Sequence, residues 1–109
     1  MELLNIDCLG QSLRLEASMA GWQVLYWGGQ AVAGKNADGN AEGDFSLSFE
    51  LTDSRNGEVI PCELSFKLGW QPFQFDYQLK IAGEVLTDGE RTVKDIERQT
   101  PVVEPKVPR

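Results

Sequence analysis

The chain has 109 residues, a length that allows one domain with its own hydrophobic core. Its net charge of −7 disfavours nucleic acid and anionic membranes as partners, because both attract clustered lysine and arginine. Histidine is absent, which excludes the Ser-His, Cys-His and His-zinc mechanisms of many enzymes.

Four short strands are predicted in the first forty residues, over 4–8, Ser12–Ala17, Trp22–Trp27 and Gln30–Gly34. Trp22, Val24 and Tyr26 share one face of the third strand. Leu25 and Trp27 lie on its other face, so this strand is apolar on both sides. Turns that contain glycine separate the first strand from the second and the third from the fourth.

Strict alternation of apolar and polar residues predicts three longer strands, over Asp44–Thr52, Glu58–Leu68 and Phe73–Ile81. The Asn-Gly pair at 56–57 favours a two-residue turn that places Phe49 opposite Leu64. The next connection pairs Leu68 with Phe73. Both pairings keep the apolar residues on one face, so we expect antiparallel strands that turn these rows toward a common dry interior.

A turn at Ala82-Gly83 and a short strand around Glu84–Thr87 complete the pattern. It is typical of an all-β antiparallel β-sandwich of about eight short strands with meander connections. The alternation stops after Gly89, and three prolines follow among charged residues and valines. We therefore predict a β-sandwich domain over residues 1–89 and a charged tail over residues 90–109 that is flexible and disordered in its Pro-rich part.

The two cysteines, Cys8 and Cys62, fall on predicted inward positions and have no metal-binding spacing. We expect buried free thiols, with a disulfide between them as the alternative. No apolar run approaches the roughly 18 residues that span a bilayer, and the first residues lack the features of a secretory signal. We therefore expect a cytoplasmic protein, in which free thiols are usual.

Two tryptophans are candidate binding residues. Trp27 and Trp70 lie at predicted strand ends beside glycine turns, and Gln71 follows the second of them. An exposed tryptophan near a loop commonly anchors a protein partner or a sugar ring. The alternative is that each ring covers an open end of the sandwich.

Oxygen ligands recur at every second position of one predicted loop, at Asp38, Asn40, Glu42 and Asp44. This alternation resembles the opening of a calcium-binding loop, in which side chains two residues apart wrap one ion. The match then fails, because the position of the bidentate acid falls on Phe49 and a strand follows where a helix should. We therefore interpret this segment as a plain acidic loop and keep a metal site as the alternative interpretation. We predict no cofactor.

Carboxylates are the remaining candidates for catalysis. The predicted hairpin places Glu50 opposite Glu63, and paired acids can divide the roles of acid and base. Both lie on the predicted solvent face, where nothing desolvates them. We therefore predict that the protein is not an enzyme.

Two aromatic strands resemble those of a known family. One strand ends in a tight turn and has the pattern Phe75-x-Tyr77-x-Leu79-x-Ile81-x-Gly83-Glu84. The earlier strand has the pattern Trp22-x-Val24-x-Tyr26 and is followed by Gly28-Gly29. This pattern resembles the small β-sandwich units of the Fas apoptotic inhibitory molecule family over residues 20–88 at most. The resemblance implies an eight-stranded antiparallel sandwich and a non-enzymatic role in contacting other proteins. It carries over no catalytic motif.

The sequence predicts a non-catalytic module that binds another protein through an edge strand, with Gln30–Gly34 as the candidate edge, or through Trp27 and Trp70. We expect a monomer or a weak dimer formed by edge strands, with no nucleic-acid or membrane partner. The alternative is a small-ligand module that binds a carbohydrate through its tryptophans or calcium through the Asn36–Asp44 loop.

Overall fold

The computed structural model describes residues 1–36 and 41–92. Two four-stranded antiparallel sheets contain the strands in chain order. Sheet A consists of β1 (Glu2–Cys8), β2 (Gln11–Ala17), β3 (Trp22–Trp27) and β4 (Gln30–Asn36). Sheet B consists of β5 (Gly43–Thr52), β6 (Val59–Trp70), β7 (Phe73–Ile81) and β8 (Glu84–Thr92). The predicted all-β sandwich of eight strands in meander order is confirmed, and the described residues form no helix that could span a membrane.

The interior is filled by apolar side chains from both sheets. In sheet B, aromatic rings form a continuous row across three strands. The ring centroids of Phe45 and Phe66 are 5.5 Å apart, and those of Phe66 and Phe75 are 5.6 Å apart. In sheet A, Leu13 and Leu15 of β2 are fully buried. Each such side chain contributes roughly 1.5–3 kcal/mol relative to its exposure to water, so these rows dominate the stability.

The turn between β5 and β6 is longer than predicted. Phe49 lies opposite Cys62 and not opposite Leu64, a shift of two residues. The cause is a wider loop, closed by a 2.8 Å hydrogen bond from the Asp53 backbone N–H to the Glu58 carbonyl. A shift of two preserves the direction of every side chain, so Phe49 and Leu64 are both buried on the same face, as predicted.

The turn between β6 and β7 is shorter than predicted. Leu68 lies opposite Phe75 and not opposite Phe73, which pairs with Trp70. The loop therefore contains only two residues, Gln71-Pro72, joined by a cis peptide bond. This difference is again a shift of two residues, so the aromatic row remains inside.

The last strand, β8, continues to Thr92, beyond the predicted strand over Glu84–Thr87 and the predicted domain end at residue 89. Gly89 interrupts the alternation because it lies opposite Tyr77. A Cβ atom at Gly89 would lie 3.1 Å from the Cε1 atom and from the hydroxyl oxygen of Tyr77, closer than ordinary van der Waals contact, so a side chain here would require the Tyr77 ring to shift. The predicted flexible tail beyond Thr92 lies outside the described residues.

Strands β4 and β5 lie beside each other along one side of the sandwich, although they belong to different sheets. The Lys35 ammonium lies 5.5 Å from the centroid of the Phe45 ring. Further along, Val32 of β4 and Phe49 of β5 border one groove. Residue numbers fall along β4 as they rise along β5, so the two strands are antiparallel. We call this boundary the β4–β5 seam.

The Asp53 carboxylate organises the turn between β5 and β6. Its Oδ1 accepts hydrogen bonds from the Arg55 backbone N–H at 2.9 Å and from Nε at 3.1 Å, and its Oδ2 accepts one from Nη2 at 2.8 Å. These bonds favour the ionised form, so they lower the pKa of Asp53 to about 2.

We expect Asp53→Asn to lower the unfolding temperature near neutral pH, because the variant loses the charged acceptor of these bonds. The unfolded-state pKa is near 4, so the advantage of the natural residue should be complete above pH 4 and disappear as the pH falls to about 2. Thermal unfolding of both proteins between pH 7 and pH 2 measures this difference. A difference that does not change with pH would contradict it.

Three buried side chains, those of Gln23, Tyr77 and Thr87, have polar atoms without a hydrogen-bond partner among the described residues, and Gln23 is the one that belongs to sheet A. Gln23 of β3 is 1% exposed, and neither its Oε1 nor its Nε2 atom has a partner among the described residues. It lies between Ala17 of β2 and Lys35 of β4 on the inner face of sheet A. An amide buried in this way loses its bonds to water without replacement, which is destabilising.

We expect Gln23→Met to stabilise the fold by about 1–3 kcal/mol, because methionine keeps a similar shape and removes the unpaired amide. Urea unfolding measures the change. Leu25→Ala is the matched control on the same face, and it should destabilise by about 2–5 kcal/mol. Destabilisation by Gln23→Met would show that the amide is satisfied in solution.

Candidate functional site

Trp27 and Trp70, the tryptophans singled out from the sequence, are tied to neighbouring backbone. Both side chains are half-buried. The Trp27 indole N–H donates to the Cys8 carbonyl at 2.8 Å, and the Trp70 indole N–H donates to the Ala41 carbonyl at 3.0 Å. The Trp70 ring also contacts the edge of Phe73, with centroids 5.8 Å apart. Each indole N–H therefore joins a strand end to the backbone of a neighbouring connecting segment.

These tryptophans do not form one site, because they lie at opposite ends of the sandwich. Trp27 pairs with Gln30 at the start of β4. Trp70 and the exposed Gln71 lie beside the start of β5, where the Trp70 backbone N–H donates to Glu42 Oε1. Since β4 and β5 run antiparallel, their starting residues are at opposite ends. The structure therefore brings Gln71 to Trp70 but not to Trp27.

The predicted calcium ligands fall partly outside the described residues, since Asp38 and Asn40 are not described. Glu42 accepts the 3.0 Å hydrogen bond from the Trp70 backbone N–H. Asp44 lies opposite Lys67 in the pairing of β5 with β6. The described part of the chain contains no group of three side chains that could hold a metal ion.

The third tryptophan is the most exposed of the three. Trp22 is 40% exposed and shares the outer face of sheet A with the half-buried Val24 and Tyr26. Met19, in the turn that leads into β3, is also exposed. We call Trp22, Val24 and Tyr26 the β3 stripe. The sequence already shows that β3 is apolar on both faces, but it does not show which face is outside.

On the β2 side, the β3 stripe is bordered by an ion pair. Arg14 Nη1 donates to Glu16 Oε2 at 2.6 Å. The Arg14 guanidinium carbon also lies 4.6 Å from the centroid of the Tyr26 ring. A guanidinium held in this way is fixed in orientation and keeps donors available toward solvent.

On the other side, the β3 stripe is bordered by small residues of β4. Ala31 lies opposite Tyr26, and Gly34 lies opposite Val24. Both are exposed, so nothing on β4 covers the stripe. Within the described chain β4 pairs only with β3, which leaves the backbone of residues 31–35 unpaired by any strand on its outer edge.

A groove of about 620 Å³ lies along the β4–β5 seam and extends over the neighbouring surface of sheet B. It is lined by Val32 of β4, Ser48, Phe49 and Glu50 of β5, Pro61, Cys62 and Glu63 of β6, Lys80, and Gly83. We call it the seam groove. The predicted facing of Glu50 and Glu63 is wrong, because Glu50 lies opposite Pro61 and Glu63 lies opposite Ser48.

Both cysteines are buried free thiols, as predicted. Burial raises the pKa of Cys8 to about 12 and that of Cys62 to about 11. Each remains protonated at neutral pH, and the thiolate is the reactive form of cysteine. Neither thiol is therefore poised to act as a nucleophile.

The three tryptophans should differ in their contribution to stability. We expect Trp27→Phe and Trp70→Phe each to cost about 1–2 kcal/mol, because each removes an indole donor from a carbonyl. Trp22→Phe should change stability by less than about 0.5 kcal/mol, because its ring is exposed. Urea unfolding of the three variants checks this order, and an equal cost at Trp22 would contradict its placement on the surface.

The sequence and the fold were compared with known proteins. No protein-family model, no curated protein and no solved structure matches this chain. The resemblance to the Fas apoptotic inhibitory molecule family therefore stays a prediction.

Proposed function

We propose that this protein is a non-catalytic module that binds another protein through the outer face of sheet A. The observation that carries the proposal is the orientation of β3. This strand turns Trp22, Val24 and Tyr26 outward while it buries the amide of Gln23 without a partner. A strand that exposes its more apolar face is best explained by a partner that covers that face.

The chemistry of the surface suits a protein partner. Tryptophan, tyrosine and arginine are the residues that contribute most often to binding energy at protein interfaces. Here Trp22, Tyr26 and Arg14 lie on one face, and Glu16 fixes the orientation of the guanidinium. Small residues of β4 leave the stripe accessible from the sheet edge. A partner could therefore bury these side chains with little loss of conformational entropy.

The alternative, a small-ligand module, has weaker support. Trp27 and Trp70 are at opposite ends of the sandwich, and both indole donors are already used by backbone carbonyls. Of the candidate calcium ligands, Glu42 is engaged by the Trp70 backbone. We therefore favour the protein-binding proposal over a carbohydrate or calcium site.

A photoreactive residue placed on this face tests the proposal. A benzophenone amino acid replaces Ala31, which is exposed opposite Tyr26, or Gln74, which is exposed on the outer face of sheet B. We expect irradiation in native cell extract to link a defined protein to position 31 but not to position 74. Trp22→Ser should abolish the link because it removes the exposed anchor.

The same experiment can overturn the proposal. Identical products at positions 31 and 74 would indicate non-specific capture. A product at position 31 that Trp22→Ser leaves unchanged would show that the β3 stripe does not bind the partner. The absence of any product at position 31 would have the same consequence.

A further inference from the structure

We propose that Asn56 is a site of spontaneous deamidation and that the turn between β5 and β6 has to open before its side chain reacts. This inference goes beyond the proposed function and does not depend on it. In the first step, the Gly57 backbone nitrogen bonds to the Asn56 Cγ atom, the bond from Cγ to Nδ2 breaks, and ammonia leaves with the proton of the attacking nitrogen. Water then adds across one of the two carbon–nitrogen bonds of the resulting succinimide ring, which gives aspartate or isoaspartate.

Asn56 has the neighbour that this reaction favours. It is the one asparagine of the chain that glycine follows, since Asn5, Asn36 and Asn40 precede isoleucine or alanine. Asn56 and Gly57 are both exposed. A Cβ atom placed at Gly57 would meet no described atom within 4 Å apart from those of its chain neighbours. Steric hindrance at the attacking nitrogen is therefore small, and water reaches the site.

In the folded turn, a hydrogen bond holds the attacking nitrogen. The Gly57 backbone N–H donates to the Asp53 carbonyl at 2.7 Å. The nitrogen of a succinimide is bonded to three carbon atoms and carries no hydrogen, so this bond cannot exist in the intermediate. Deamidation therefore requires the turn to give up a hydrogen bond that the folded chain keeps.

The side chain that is attacked is held as well. Asn56 Oδ1 accepts a 2.8 Å hydrogen bond from the Glu58 backbone N–H. The Asn56 backbone N–H donates to the Asp53 carbonyl at 3.3 Å. These bonds fix the side chain and the backbone of Asn56 separately. Ring closure has to bring Cγ and the Gly57 nitrogen from non-bonded contact to a covalent bond, so the turn must rearrange.

Asp53 stabilises the closed turn through both its side chain and its backbone. Its buried carboxylate accepts three hydrogen bonds from Arg55. Its backbone N–H donates to the Glu58 carbonyl, and its carbonyl accepts the Gly57 bond that the reaction has to break. Loss of the carboxylate should therefore let the turn open more often without unfolding the rest of the chain.

Peptide mass mapping of the full chain at mildly alkaline pH measures deamidation at position 56. We expect the folded chain to react at least about tenfold more slowly than the same chain in urea, because only the open turn reacts. The Gly57 amide hydrogen exchanges with solvent when the same bond breaks. Its protection, measured by NMR of the ¹⁵N-labelled chain, should therefore match the slowing of deamidation within about threefold.

Three results of these measurements would overturn the inference. If the chain in urea does not deamidate at position 56, Asn56 is not a site of the reaction. Equal rates in the folded and the unfolded chain would show that the turn does not control it. Slow deamidation beside an unprotected Gly57 amide would show that the bond to Asp53 is not the cause.

Matched variants separate opening of the turn from global unfolding, when each folded rate is divided by the rate of the same variant in urea. Asp53→Ala should raise this ratio at least about fivefold. Arg55→Ala changes an exposed side chain and should raise it too, which keeps the test valid if Asp53→Ala does not fold. Trp70→Phe removes a hydrogen bond at the opposite end of β6 and should leave the ratio unchanged. Equal acceleration by all three, or none by the first two, would overturn control by the turn.

The isoaspartate product would lengthen the turn. Its main chain passes through the Cβ and Cγ atoms of residue 56, which adds one carbon atom between Asp53 and Glu58, the residues joined by the 2.8 Å closing bond. We expect the isoaspartyl chain, separated by ion exchange, to unfold at a lower temperature than the unmodified chain. Asn56→Asp is the matched control, because it has the same charge and keeps both the main chain and the acceptor for the Glu58 N–H. It should unfold at the temperature of the unmodified chain, and equal unfolding temperatures of the isoaspartyl and Asn56→Asp chains would contradict this dependence on the closed turn.

Discussion

The aromatic and aliphatic rows of sheet B can be buried only when neighbouring strands pair so that these rows lie on the same face. Side chains alternate strictly along a strand, so a slip of one residue would turn Phe45, Leu47 and Phe49 into water. At roughly 1.5–3 kcal/mol for each large apolar side chain, this loss would match much of the stability of a small domain. A slip of two residues has no such cost. The fold therefore fixes the direction of each side chain more strongly than the identity of its opposite neighbour.

This difference explains which parts of the fold could be predicted from the sequence. Alternation alone predicts β5, β6 and β7 and their inward rows, but both predicted registers differ by two residues from the observed pairing. The Asn-Gly pair favoured a tight turn at 56–57, yet the Asp53 carboxylate binds Arg55 and organises a wider loop. The last strand was predicted too short because Gly89 breaks the alternation, and its reason is the ring of Tyr77 on the neighbouring strand. Such contacts between strands are not visible in a local pattern.

The candidate site was predicted only in part, for a related reason. Both faces of β3 carry large apolar side chains, so the alternation alone does not show whether Trp22 or Trp27 faces solvent. Pairing decides it, because Leu25 lies opposite the buried Leu15 of β2 and must point inward with it. Because side chains alternate along the strand, Gln23 then lies on the inner face of sheet A with Leu25, and Trp22 lies on the outer face. The choice of Trp27 as an anchor followed its position beside a turn, which does not reveal that its indole N–H is bonded to the Cys8 carbonyl.

The outer faces of the two sheets differ, although each sheet also buries polar side-chain atoms that have no hydrogen-bond partner among the described residues. Sheet B buries its apolar row and exposes mainly polar residues, as expected for a face that meets only water. Sheet A buries an unpaired amide and leaves its aromatic stripe outside, next to the edge of β4. Gln23 and Trp22 are adjacent in sequence, so turning β3 over by half a rotation about its axis would expose the amide of Gln23 and bury the ring of Trp22. The same rotation would expose Leu25 and break its contact with Leu15 of β2. The β3 stripe thus persists because the core requires the inward face of β3, and the surface that results is available for a partner to cover.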